Sequence, residues 1–202
     1  MLKQVFFIGF FFLYSAMFAQ SPFSKLSKPE KYWVITHPFV VKKAMHISKQ
    51  VLVDVDSIRK SEIIGTDNNG GKLDAFKHAY WMASLTCKIG KRKTKKLGIA
   101  HEKGNYLQFR KHEIEDRFLP DSVSSEMDLK NNEIGISLIN DCKLKSTQSL
   151  QNEVLLALKN GELYIIKKDK NGVFLTKDGI QLQMNEWVGK WGIPKYIVRS
   201  NE

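Results

Sequence analysis

Asp74 and His78 stand four residues apart, so on a helix they project from one face, with Trp81 nearly one turn further along. His101 and Glu102 are adjacent, and Asn105 shares the face of His101. Asp128, Asn132 and Gly135 form a third stripe at helical spacing, with Asn131 beside it. Carboxylates, imidazoles and carboxamides brought together from separate helices are the ingredients of a metal site, in which Asp or Glu activates a bound water. They equally suit a metal-free acid/base site in which Asp74 holds His78, and Glu102 or a neighbour holds His101. The bland alternative is a buried hydrogen-bond network that fixes helix register. The pair His101-Glu102 is weak by itself, because the HExxH metal motif needs a second His at position 105, where this chain has Asn.

The expected roles are as follows. Glu102, His78 and His101 are the catalytic candidates, with Glu102 as general base. Asp74, Asn131, Asn132 and Lys77 are the substrate-binding candidates. His78, His101 and Asp128 are the candidate ligands of a divalent metal ion, which is the one cofactor considered. Three other histidines read differently: His37 as a capping-region residue, His46 as helix surface, and His112 as part of an exposed charged loop through Asp116.

These groups need helices to position them, and the pattern from Lys28 to about Asn160 is helical. Thr36-His37-Pro38 offers an N-cap with proline in the first turn, before Val40, Ala44, Ile47 and Val51 at helical spacing. After a Gly-rich break at 66–71, a helix from Leu73 to about Ile89 is apolar nearly all round, as befits the centre of a bundle. Gly90 separates it from a third helix. A fourth is expected from about Ser124 to Cys142 and a fifth from Ser149 to Lys159, ended by Asn160-Gly161. Gly135 inside the fourth costs about 1 kcal/mol against Ala, which makes sense if a backbone or ligand approaches closely there. Beyond Gly161 the period changes, and 162–167 and 173–176 flank an Asn171-Gly172 turn that signals a β-hairpin. The fold class is therefore mainly α, a bundle of about five helices with a small C-terminal β-hairpin. The expected division is a helical domain over 20–160 and a hairpin with its tail over 161–202.

Residues 1–19 read as a cleavable signal peptide: Lys3, an apolar run from Val5 to Ala16, then Ala19 before the cut. That run is shorter than the ~20 residues a bilayer-spanning helix needs, so no transmembrane segment is expected in the mature chain. Export to the periplasm or beyond follows. With 32 Lys and Arg against 21 Asp and Glu, the net charge is +11, and an anionic substrate or surface is the expected partner. Protein partners leave no trace. Lys91 to Lys96 reads as a solvated connection rather than a nucleic-acid groove. Two cysteines, Cys87 and Cys142, permit a disulfide in an oxidising compartment, and two buried thiols satisfy the sequence as well.

Taken in order, Asn69-Gly70, the block from Asp74 through Lys77 and His78 to Trp81, His101-Glu102, and the block from Asp128 through Asn131 and Asn132 to Gly135 resemble a bacterial domain family of unknown reaction. The resemblance covers about residues 66–140 and is carried by three blocks together. Related-looking domains occur in secreted proteins and at the ends of large toxins, which implies export and marks these positions as candidates, without supplying a mechanism. Lys77 departs from the arginine common there. It keeps the charge and loses the planar fork that pairs bidentately.

Overall fold

The structure, a computed structural model, describes residues 23–112, 119–139, 142 and 146–202. The expected signal peptide lies outside the described residues, as does most of the charged loop beyond His112. The chain is mainly helical, with a two-stranded antiparallel sheet near the C-terminus. None of the described helices is long and apolar enough to cross a membrane.

Helix α1 (Lys28–Thr36) precedes the first helix foreseen as a separate element and begins with a capping box. The Ser27 hydroxyl accepts the Glu30 N–H, and Glu30 Oε2 accepts the Ser27 N–H at 2.8 Å, with Pro29 in the first turn. Pro38 opens α2 (Pro38–Ser61) directly, and the residue before it, His37, makes no side-chain cap. The Thr36 hydroxyl instead turns back to the Tyr32 carbonyl at the end of α1.

Helix α3 (Lys72–Ile89) is the buried centre that its all-round apolar pattern requires, packed on α2, on α4 (Lys91–Lys111), on α5 (Ser122–Ser137) and on α6 (Thr147–Lys159). Phe76, Ala79, Met82, Ala83 and Leu85 are fully enclosed. Asp121 caps α5 by accepting the Val123 and Ser124 N–H groups, and Ser146 caps α6. Helix α5 ends earlier than expected, at Ser137, and Cys142 pairs with Cys87 in a disulfide, Cα to Cα 5.1 Å. That settles a choice the sequence left open.

The small sheet differs in pairing from the expected hairpin. Strand β1 (Tyr164–Ile166) takes β2 (Ile197–Arg199) as its ladder partner. The Asn171-Gly172 turn forms, and its two arms pair through the bridge from Lys168 to Phe174, with the Val173 N–H also donating to Asp169 Oδ1. Phe174 turns inward with Met127, Ile166 and Leu182. The tail between α7 (Met184–Trp187) and β2 is pinned by Lys195, whose buried ammonium lies 2.9 Å from Asp121 Oδ2 and over the Phe174 and Trp187 rings.

Candidate functional site

Gly135 explains how two helices come close enough to share a site. A Cβ there would run into the Ala79 carbonyl, so α5 lies directly on the α3 backbone. The approach carries Asp128 to His78. Nε2 of His78 is 3.3 Å from Asp128 Oδ1 and 3.6 Å from Asp74 Oδ1, and all three residues are buried. One donor atom from each lies within 4.8 Å of the others, a mixed nitrogen and oxygen set of the kind that holds a divalent transition metal.

Asp74 also works for the fold. It sits in the first turn of α3, where its Oδ2 accepts the Gly70 N–H at 2.8 Å, and its Oδ1 lies 2.8 Å from Lys77 Nζ. Gly70 has φ +79, and the Ile166 side chain occupies the space where a Cβ would go. Ile166 N–H in turn donates to the Gly70 carbonyl, so the sheet clamps the turn that feeds Asp74.

His78 is held well below the usual histidine range by burial, then by the nearby charges of Lys77 and His101, with Asn132 opposing. It is therefore neutral, the form that ligates metal or accepts a proton. Asn132, one turn past Asp128, is buried beside the ring, and its carboxamide favours the protonated imidazole. Asn131 faces another way: its carboxamide donates to the Tyr164 carbonyl and accepts the Tyr164 N–H, both at 2.9 Å, and so docks β1 onto α5.

His101 stands apart from the three-residue cluster. Its ring centroid is 6.4 Å from that of His78, and its Nδ1 is 3.0 Å from Glu30 Oε1. The carboxylate that holds His101 thus comes from α1. Glu102, turned to another side of α4, is buried and accepts from Asn105 Nδ2 at 3.0 Å. Glu30 was readable as a capping residue from Ser27 and Pro29, but nothing in the sequence tied it to a histidine 71 positions later.

Above the cluster opens a cleft of about 440 Å³ between α1, α2, α3 and α4. His78, Lys77, His101 and Glu30 are the polar groups at its floor, while Asp74 and Asp128 lie behind His78. The walls are apolar, with Trp33 and Trp81 among them. Trp81 Nε1 is fixed by the Ser48 hydroxyl at 2.8 Å and its ring meets the edge of His101 at 5.2 Å. The expected site residues therefore divide. Asp74, Lys77, His78, Asp128 and Asn132 come together, His101 joins them across the cleft floor, and Asn131 and Glu102 serve other contacts.

Residues 31–162 match a family described as a domain of unknown function, DUF6973, over more than half of the chain and all three blocks of the site. No curated protein and no solved structure matches it.

Proposed function

Because the chain belongs to the DUF6973 family of domains of unknown function, its reaction rests on its own side chains, and we propose that it is an exported, metal-assisted hydrolase of phosphoester-type bonds. One observation carries this reading: a neutral imidazole set between two buried carboxylates at the floor of an open cleft. Two carboxylates close together in a low-dielectric interior repel, and Lys77 offsets one of them. A divalent cation held by Asp74, His78 and Asp128 would reverse the sign of the site and make it receptive to an anionic ester. Such an ion would supply a water acidic enough to attack near neutral pH.

The chain's own groups do the rest. Glu30 fixes the His101 ring through Nδ1 and so holds the imidazole in the cleft for proton transfer to or from the substrate. Lys77, already turned toward the cleft floor, is placed to meet a phosphoryl oxygen. Asn132 orients the substrate or His78, while Glu102 and Asn131 hold the helices and sheet that carry these groups. Export is supported by the apolar N-terminal segment and by the Cys87–Cys142 bridge, a bond that persists in oxidising compartments.

A second reading is favoured by Asp74 and Asn131, whose hydrogen bonds already serve the fold. In it the cluster is structural, and the basic chain is a non-catalytic module that attaches to anionic polymer. Metal analysis of the purified chain beside His78→Ala and Asp128→Asn separates the two. One ion per chain, lost in both variants together with metal-dependent cleavage of a model phosphodiester, supports the hydrolase. No ion in any of them, with a large fall in melting temperature for His78→Ala, sinks it in favour of the structural cluster.

A further inference from the structure

The walls of the cleft do not suit a small polar ester. Val34, Val41, Ala44, Met45 and Leu52 line it above Trp33, and a substrate that stopped at the floor would leave these side chains facing water. Its volume of about 440 Å³ is within the range of pockets that enclose small molecules, roughly 300–1,000 Å³. The ionisable groups of the lining are Glu30, Lys49, Lys77, His78 and His101. Lys49 lies on α2 nearly one turn before Leu52, exposed and with no ion pair among the described residues, while Leu52 is 61 % exposed. The one carboxylate in the lining, Glu30, is already engaged by the Ser27 N–H and by His101.

We infer that the cleft takes an amphiphile: a single apolar chain lies along the α1–α2 wall, and an anionic head group rests among Lys49, Lys77 and His101. The inference rests on the hydrolase reading only for the bond that is cut. The binding itself follows from the lining. An apolar chain removes the walls from water, and each methylene buried contributes about 0.8 kcal/mol, about fourfold in affinity.

Trp33 and Trp81 in the lining report the event. The purified chain is titrated with hexyl, octyl and decyl phosphate below their micelle concentrations, and tryptophan emission is followed, with inorganic phosphate as competitor. Expected is a saturable change whose affinity rises about fourfold per added methylene until the cleft is full, with inorganic phosphate, which lacks the chain, competing only at far higher concentration. Leu52→Asp, an exposed change that leaves the core alone, weakens decyl phosphate at least tenfold. Lys49→Glu weakens decyl phosphate and spares decanol. Affinity that is flat with chain length, or unchanged in Leu52→Asp, overturns the assignment. Turnover is read separately on alkyl phosphodiesters. Chain-length-dependent binding without cleavage sinks the hydrolase reading and leaves the amphiphile cleft standing. Cleavage indifferent to chain length does the reverse.

Discussion

Glu30 Oε1 stands 3.0 Å from His101 Nδ1 while its Oε2 accepts the Ser27 N–H, so one carboxylate closes the capping box of α1 and holds the imidazole of α4. Burial pushes this carboxyl up, but the hydrogen bond and charge of His101, with the bonds from Ser27, outweigh it and leave the group below the usual carboxylate range. A carboxylate depressed in the folded state stabilises the fold above its unfolded pKa, and that contribution is lost as pH falls through the folded value. Glu30→Gln should therefore lower stability at neutral pH by about 1 kcal/mol, the scale of a lost cap. Melting curves of both proteins should draw together as pH drops below the ordinary carboxylate range. A gap that stays constant from neutral to strongly acid solution rules the linkage out.

Gly135 tests the contact that lets Asp128 reach His78. Its absent Cβ would meet the Ala79 backbone, which cannot rotate out of the way, so Gly135→Ala must push α5 off α3. A loss of about 1–3 kcal/mol is expected, as for an overpacked core. For a chain of this size, that is a drop of about 2–4 °C per kcal/mol in melting temperature. Gly192 has nothing within 4 Å of its missing Cβ and an ordinary backbone, so Gly192→Ala should stay within about 0.5 kcal/mol of the parent. Equal effects at the two positions would contradict the close approach.

The same glycine shows why the helices were legible. A residue without a side chain inside Asp128–Gly135 announced a close neighbour before that neighbour could be named, and the all-round apolar pattern of α3 placed it at the centre of the bundle. Asp74, His78 and Asp128 followed because buried polar groups on core helices must find one another. Pairings over long separations left no such mark. Glu30 reaches His101 and β1 reaches β2 through three-dimensional packing, and the periodicity of either partner says nothing of the other. The Asn171-Gly172 turn was correct in its chemistry, yet turn residues specify only the turn. The longer ladder goes to β2, and both Phe174 and Val198 are buried in that arrangement. Asn131 shows a related limit: a buried carboxamide looks the same in sequence whether it awaits a substrate or docks a strand edge.

The Cys87–Cys142 bridge joins the end of α3 to the chain after α5 across 55 positions. Closing a loop of that size removes about 4 kcal/mol of unfolded-state entropy in the chain model, and native bridges typically contribute about 2–5 kcal/mol. Reductant, or the double change of Cys87→Ser and Cys142→Ser, should lower the unfolding free energy obtained from urea titration by an amount in that range. Protein purified from an oxidising compartment and unfolded without reductant should show no reactive thiol, since both cysteines of the chain are in the bridge. Two thiols per chain would remove this support for export.

His78 gives the clearest pH test because its ring is depressed, the reverse of the usual gain of a partner. Burial disfavours the charged ring most, Lys77 and His101 add repulsion, and Asn132 only partly compensates. In chelator-treated protein the folded ring thus stays neutral at pH values where the unfolded chain's ring has taken up a proton. The unfolded state then binds more protons, so stability should rise with pH below about 6.5, the unfolded histidine pKa, with a limiting slope of about 1.4 kcal/mol per pH unit from this group. The slope should fade above that pH and vanish at the low folded value. His78→Gln should remove it, whatever its effect on absolute stability, because glutamine does not titrate. Nitrogen chemical shifts of the His78 ring supply an independent reading, and they should stay at neutral-imidazole values across pH 6 to 8. A ring that protonates within that interval would mean the cluster is wetter than its packing indicates, and would take away the neutral nitrogen on which a bound cation depends.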